Sequence, residues 1–273
     1  MKNKRLIVLL SVLAFITVLV VINSTLFTLQ NISINWLTTK SELQKFKDYD
    51  LVGDIHKGQS IFLLDKSEMS ANLEKEFPYL NVVSIETKFP NKIVVHSAER
   101  ESLYAVCLSS DTYAILDEKG KVLDKISGKE LNANSEGGLR PRPIVTNFSG
   151  TLNPEDFEVG EFVKRPDIGS MINSLSTSLR EAGYNPTTSK GVLSAIDINS
   201  SSTEYDSSLV VMKTRSGISL SVLRFEELLT DKIMHAFYQY NQLHNQGAVD
   251  CEIIVWYNSG PNLIESDIKW NLS

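Results

Sequence analysis

The residues that could carry catalysis are few and are scattered along the chain. The four histidines, His56, His96, His235 and His244, lie in unrelated segments. Even the last two do not match the i, i+4 spacing of a zinc-binding helix. A hydrolytic site needs a nucleophile held against a base, and a nucleotide site needs a glycine-rich loop after a strand. The sequence therefore predicts no catalytic residues, no metal site and no cofactor site.

Two smaller signals could suggest chemistry. Ser266-Asp-Ile-Lys269 matches the S-x-x-K motif of penicillin-recognising enzymes. Neither S-D-N nor K-T-G follows it, which favours a chance match. Cys107 and Cys251 each lie in a strand-like run. A disulfide is an alternative for a chain outside the membrane, but the pattern favours two unpaired core cysteines.

Residues 58–100 predict one helix followed by two strands, and the rest of the chain is interpreted relative to this stretch. Residues 66–77 have the apolar spacing of an amphipathic helix. Residues 81–88 and 92–98 are strand-like, and Phe89-Pro90-Asn91 between them has the composition of a turn.

A matching half lies upstream of this stretch. Residues 27–37 predict a strand and residues 42–49 a short helix after a capping Thr39 or Ser41. The predicted order is therefore strand, helix, helix, strand, strand.

The N-terminal segment predicts a single transmembrane helix over residues 6–28. Leu6 to Ile22 is apolar except for Ser11 and Thr17, and the run is long enough for a bilayer core of roughly 30 Å. Because the basic residues nearest to this run, Lys2, Lys4 and Arg5, all precede it, residues 1–5 are expected in the cytoplasm and the bulk of the chain outside. A cleaved signal peptide is the alternative, but the run is long and lacks an A-x-A site.

Beyond residue 100 the sequence predicts a β-rich unit with packed helices. Strand-like runs form a meander over residues 103–123, a hairpin over 208–222 and a last strand over 249–257. Residues 167–182 and 226–243 have helical periodicity. The fold class is therefore α+β, and the net charge of −6 argues against binding to nucleic acid.

Several motifs resemble the bacterial cell-division family FtsQ/DivIB in their order and spacing. They are Lys57-Gly58-Gln-Ser-Ile61 with Asp65, Phe89-Pro90-Asn91-Lys-Ile-Val-Val95 before Glu99-Arg100, Tyr113-Ala-Ile-Leu-Asp117 before Gly120-Lys-Val-Leu123, Pro143-Ile-Val-Thr with Val159-Gly160-Glu, and Val249-Asp250-Cys-Glu252. The polar insertion over residues 127–142 and Ser102, where the family often has proline, depart from the pattern.

The resemblance implies a domain layout. After the cytoplasmic tail (1–5) and the membrane helix (6–28), residues 29–99 would form a POTRA domain of order β-α-α-β-β. Residues 100–260 would form the β domain, and residues 261–273 a C-terminal tail.

The predicted functional feature is a surface near the C-terminus. The last strand of a β domain is often an edge, and an edge can accept a strand from a partner. Both faces of this strand are largely apolar, and Trp and Tyr often anchor interfaces; the alternative is that Trp256 and Tyr257 only cap the core. By resemblance, the strand would receive DivIC/FtsB-like proteins paired with FtsL-like ones. The predicted partner-binding residues are Glu252, Ile253, Ile254, Val255, Trp256, Tyr257, Asn258, Ser259 and Gly260.

Two functions are compatible with these patterns. The resemblance implies a non-catalytic, bitopic scaffold at the division septum that helps regulate the peptidoglycan synthase of FtsW and a penicillin-binding protein. The alternative is a membrane-anchored enzyme or ligand-binding protein of the cell envelope, which would need a polar cleft with a paired base and nucleophile.

Overall fold

A computed structural model describes residues 2–37, 58–131, 142–148, 150–202, 207–258 and 263–270. The chain divides into two compact units, Met1–Arg100 and Glu101–Ser273.

The first unit begins with helix α1 (Lys2–Leu26). The described side chains of α1, those from Val8 to Val21 and Leu26, are all exposed. Among the residues that the structure describes, no helix combines the length and the apolarity that a membrane crossing requires. The transmembrane helix predicted over residues 6–28 is therefore not supported.

A three-stranded sheet and one helix follow α1. Strands β1 (Asn31–Trp36), β2 (Leu80–Lys88) and β3 (Lys92–Glu99) are ordered β1-β3-β2. The β1–β3 pair is parallel and the β2–β3 pair is antiparallel. Helix α2 (Lys66–Glu76) lies between β1 and β2 in the chain, and β2 and β3 follow it as an antiparallel hairpin. The helix predicted over residues 42–49 lies outside the described residues.

Local sequence accounts for the position of α2. Asp65 is its N-cap, and its carboxylate accepts hydrogen bonds from the N–H groups of Ser67 and Glu68 at 2.8 and 3.2 Å. Met69 and Leu73 are fully buried against the sheet. Glu74 fixes the helix further, because its carboxylate accepts from the Val82 N–H and from Arg100 Nη2, each at 2.8 Å. Arg100 of the Glu-Arg motif thus helps to hold this unit together.

The second unit contains nine strands among its described residues. They are β4 (Tyr104–Ser109), β5 (Thr112–Leu116), β6 (Val122–Ser127), β7 (Ile144–Thr146), β8 (Leu193–Ser202), β9 (Ser207–Thr214), β10 (Ser219–Leu223), β11 (Cys251–Asn258) and β12 (Leu263–Trp270). One sheet contains all nine, in the order β12-β11-β10-β9-β8-β7-β4-β5-β6.

Most neighbouring strands of this sheet are antiparallel. The exceptions are β4–β7, β7–β8 and β10–β11, which are parallel. The β5–β6 turn explains the Asp-x-x-Gly motif in the sequence. Asp117 Oδ1 accepts from the N–H groups of Lys119 and Lys121, each at 2.8 Å, and Gly120 adopts a φ of 82° that favours glycine.

Helices cover one face of the large sheet. They are α3 (Pro166–Glu181), α4 (Pro186–Val192) and α5 (Leu229–Asn245), and α3 packs against α5. Ile172, Leu175, Ile233 and Phe237 from the two longer helices are buried with alternate residues of the strands in one core. This burial supplies the main stabilisation of the unit.

Candidate partner-binding site

The prediction that β11 is an edge strand is wrong. Strand β11 pairs in parallel with β10 on one side and antiparallel with β12 on the other. Residues 263–270, which the sequence analysis assigned to a tail, form the outermost strand at this end of the sheet. The open edge is therefore one strand further along the chain than predicted.

The position of β11 inside the sheet explains why it is apolar on both faces. Cys251, Ile253 and Val255 are buried in the core below the helices, and Ile254 on the opposite face is 3% exposed. These side chains fill the interior of the protein and cannot reach a partner without unfolding. The two-sided apolar pattern was thus a signal of an internal strand.

The remaining predicted residues lie on the face of β11 away from the helices or at its end. Glu252 and Trp256 are half-buried on that face, and Tyr257 is half-buried on the other. Ser221 Oγ donates to Glu252 Oε1, and Asn258 Nδ2 donates to Glu265 Oε1 at 2.9 Å. Ser259 and Gly260 lie outside the described residues.

Strand β12 contributes two chemically different faces. Ile264, Ser266, Ile268 and Trp270 alternate with Glu265, Asp267 and Lys269. Ile264 and Ile268 pack against the core, and Trp270 is 54% exposed at the end of the strand. Sequence reasoning missed these residues, although their strict alternation was a usable strand signal.

The second edge of the sheet, β6, is partly covered. The Val122 N–H donates to Glu161 O, and the Gly160 N–H donates to Val122 O, both at 2.9 Å. Lys125 Nζ reaches Pro154 O at 2.8 Å. Residues 154–163 therefore shield β6, whereas among the described strands only β11 pairs with β12.

In both edge strands an aspartate side chain accepts a hydrogen bond from the backbone N–H of the next residue. The N–H of Ile268 donates to the carboxylate of Asp267, and the N–H of Lys125 donates to that of Asp124, each at 2.8 Å. We assign both N–H groups to the outer sides of their strands, since an N–H directed into the sheet would bond to the neighbouring strand. A charged side chain that occupies an edge donor discourages unspecific pairing.

A serine–histidine pair fixes β12 to the helical layer. Ser266 Oγ and His235 Nε2 of α5 are hydrogen-bonded at 3.0 Å. A nucleophile and a base in contact raise the question of hydrolysis. The pair does not line the groove described next, and no carboxylate is hydrogen-bonded to His235 among the described contacts. Its geometry serves to attach the edge strand to α5.

An open groove of about 720 Å³ lies between α3 and the start of α5. Asp167, Ser174, Thr177, Phe225 and Asp231 are among its lining residues, and no histidine or cysteine lines it. Within the described ranges, no group of three His, Cys, Asp or Glu residues could hold a metal ion.

Both cysteines are free thiols. Cys107 is half-buried on β4, and Cys251 is buried at the start of β11. Burial raises the pKa of Cys251, so its thiol stays protonated and packs as a small apolar group.

In the part of the chain that the structure describes, the fold and the site define a class of protein: a small β-α-β-β unit followed by a large mixed sheet that ends at strand β12. The family described as "POTRA domain, FtsQ-type" matches residues 51–100. A curated relative, the cell division protein DivIB of Clostridium acetobutylicum, is 34% identical over 80 residues. That alignment covers 28% of this chain and 31% of the relative, so the chain matches about a third of the relative's length. These matches confirm the resemblance to the FtsQ/DivIB family that the motifs indicated.

Proposed function

We propose that this protein is a non-catalytic scaffold of the bacterial division machinery. It binds DivIC/FtsB-like and FtsL-like proteins at the septum and helps regulate the synthase formed by FtsW and a penicillin-binding protein. The FtsQ-type POTRA domain and the similarity to DivIB support a role in cell division. The position of β12 at the end of the sheet supports the more specific proposal that this role depends on strand capture, the pairing of a partner's strand with β12.

Strand capture at β12 has a simple physical basis. Among the described strands β12 pairs with β11 alone. A strand at the end of a sheet can offer backbone donors and acceptors to a partner strand, and these supply affinity without a preformed pocket. Exposed Trp270 and half-buried Trp256 lie on opposite faces of the hairpin and offer aromatic anchors for side chains of the added strand. Of the predicted partner-binding residues, Glu252 to Asn258 thus belong to the proposal as part of β11, the strand that supports β12.

Matched proline variants of the full chain test the proposal. Ile268→Pro removes the outer donor of β12, and Lys125→Pro removes the corresponding donor of β6. We expect Ile268→Pro to reduce pull-down of the DivIC/FtsB-like partner at least about tenfold, and Lys125→Pro to leave capture unchanged. Trp256→Ala should weaken capture less. Circular dichroism verifies the fold of each variant.

The two proline variants also give results that would contradict pairing at β12. Normal capture by a folded Ile268→Pro protein would exclude pairing at β12. Equal loss in both variants would point to a general loss of stability, which thermal melts of the same samples would detect.

Membrane attachment belongs to this proposal and rests on the sequence. The apolar run from Leu6 to Ile22 and the basic residues before it support one N-terminal anchor with the bulk outside the cell. Carbonate extraction of cell membranes tests it. Release of the full-length protein into the supernatant would contradict the anchor and leave the strand-capture test unaffected.

A further inference from the structure

An exposed aromatic cluster lies where helix α1 ends and the first sheet begins. Phe27 directly follows α1, and its ring is 4.9 Å from that of Phe62 and 6.4 Å from that of Phe89. Phe62 and Phe89 are 5.5 Å apart. Phe62, Phe89 and the neighbouring Leu63 are 58%, 63% and 85% exposed. We call these four residues the aromatic cap.

Hydrogen bonds between backbone segments hold the rings of the aromatic cap in place. The Ile61 N–H donates to Phe27 O at 2.8 Å, which holds the turn bearing Phe62 and Leu63. The Gln30 N–H donates to Asn91 O at 3.0 Å, and Asn91 Nδ2 donates to Gln30 Oε1 at 3.1 Å, which hold the turn bearing Phe89. The rings therefore stay together while their outer faces remain exposed.

An exposed cluster of this kind is costly in water. Complete burial of a Phe or Leu side chain is worth about 1.5–3 kcal/mol. A patch that leaves several such side chains exposed therefore marks a surface that another phase or molecule covers.

The chain itself indicates which phase covers the cap. Consecutive residues of α1, such as Val8, Leu9 and Leu10, are each more than half exposed, so the helix is apolar on every side. Its two described hydroxyls bond to the helix's own carbonyls, Ser11 Oγ to Val8 O at 2.8 Å and Thr17 Oγ1 to Leu13 O at 2.9 Å. Such a helix can lie against lipid without leaving a described hydroxyl unsatisfied.

The residues beside the cap fit the same occupant. Lys88 and Lys92 flank the Phe89 turn at the ends of β2 and β3, and both are exposed. Aromatic rings beside basic side chains are the composition that binds the headgroup region of membranes, particularly with anionic lipid.

We propose that the aromatic cap rests on a lipid surface. Phe27, Phe62, Leu63 and Phe89 enter the headgroup layer and hold the first unit against the membrane. This contact does not require α1 to cross the bilayer, and it is independent of partner capture at β12.

A fluorescent label at the cap tests the proposal in the full chain. Leu63→Cys in a Cys107→Ser, Cys251→Ser background carries an environment-sensitive nitrobenzoxadiazole dye. The protein is reconstituted into phosphatidylcholine vesicles with or without phosphatidylglycerol, and a shallow doxyl lipid is added as quencher. We expect about twofold quenching at residue 63, with stronger quenching in the anionic vesicles.

A matched label provides the control. Val83 is 56% exposed and lies on β2 in the same unit, roughly 17 Å along the strand from Lys88 at about 3.3 Å per residue. The dye at Val83→Cys should show no quenching. Phe62→Ser with Phe89→Ser should abolish quenching at residue 63, whereas Phe62→Leu with Phe89→Leu should retain it.

Three outcomes would overturn the proposal. Equal quenching at residues 63 and 83, or none at either, would show that the cap does not select the lipid surface. Disulfide cross-linking of two copies of the unlabelled Leu63→Cys variant, without lipid quenching of the labelled one, would assign the cap to self-association. Circular dichroism of the serine variant separates loss of contact from loss of fold.

Discussion

At the scale of single residues, the core of the second unit contains a hydrogen-bonded pair of buried hydroxyls, Tyr104 and Ser176. Tyr104 is completely buried, and its hydroxyl lies 3.0 Å from Ser176 Oγ. Ser176 Oγ also donates to Ile172 O at 2.8 Å within α3. Ser176 therefore has a second partner, whereas Tyr104 depends on Ser176 for the hydrogen bond that makes its burial tolerable.

The two truncations of this pair should differ in cost. Ser176→Ala leaves the Tyr104 hydroxyl buried without its partner and should lower the free energy of unfolding by about 1–3 kcal/mol. Tyr104→Phe keeps the Ser176–Ile172 bond and should cost less than about 1 kcal/mol. Urea unfolding of the two variants measures the difference, and equal costs would mean that water satisfies Tyr104.

The same tyrosine predicts a pH dependence. Burial raises the pKa of Tyr104 well above its ordinary value of 10.0. The tyrosine therefore ionises at a lower pH in the unfolded chain than in the folded protein. Its contribution to the free energy of unfolding is fully present below about pH 10 and is lost as the pH rises above that value. Tyr104→Phe should remove this alkaline loss. An unchanged slope of stability against pH in that variant would assign the loss to other groups.

A buried lysine holds the strained connection between β10 and α5, residues 224–228, in the same unit. Lys232 of α5 is fully enclosed, and its Nζ donates to Leu223 O and Arg224 O at 2.9 and 2.8 Å. The connection contains two non-glycine residues with positive φ, Arg224 at 47° and Leu228 at 50°. Such conformations cost energy and persist only where neighbouring contacts impose them.

Removal of this lysine should loosen the connection. Lys232→Met leaves two carbonyls without their donor and should destabilise the protein by about 1–3 kcal/mol, in spite of the relief of a buried charge. Limited proteolysis should then cleave within residues 224–228 faster than in the wild type. Lys213→Met, at an exposed lysine of β9, is the control, and equal cleavage in both variants would contradict the role of Lys232.

At the scale of elements, the two edge strands have opposite expected roles despite the same aspartate device. A partner strand on β12 must displace the Asp267 carboxylate before it can accept from the Ile268 N–H. Asp267→Ala should therefore tighten capture by about two- to tenfold, the value of a net hydrogen bond of about 0.5–1.5 kcal/mol. Asp124→Ala on the shielded β6 should leave affinity unchanged. Titration of the full chain with a DivIC/FtsB-like partner measures both, and weaker capture by Asp267→Ala would mean that this carboxylate contacts the partner.

The elements that could be predicted from the sequence are those with strong local signals. Helix α2 begins after capping Asp65, and the β2–β3 turn contains Pro90. The β5–β6 turn follows from Asp117 and Gly120. In each case the residues that fix the backbone are neighbours in the sequence, so no tertiary knowledge was needed.

The candidate site could be predicted only in part, because an edge is a property of the whole sheet. The sequence indicated the correct end of the chain, but it placed the edge on β11. The alternation of Ile264, Ser266, Ile268 and Trp270 is a local signal for a strand after β11, but it does not indicate where that strand lies in the sheet. Which strand of a hairpin lies outermost depends on the parallel pairing of β11 with β10, a long-range contact without a local signal.

At the scale of the whole molecule, the two functions considered predict different cell shapes. A division scaffold acts before the septum is built, so its loss stops division while growth continues. An envelope hydrolase would act after septation, and its loss would leave daughter cells attached. Depletion of this protein should therefore give filaments without septa, visible by membrane staining, and chains of septate cells would contradict the scaffold.

Complementation connects this phenotype to the open edge. In depleted cells, the wild type and Lys125→Pro should restore septa, because both keep β12 intact. Ile268→Pro should leave filaments although it accumulates to the same level, as measured by immunoblot. If Ile268→Pro restores division, the scaffold must act through another surface, since a protein that cannot extend β12 would then still assemble the septum.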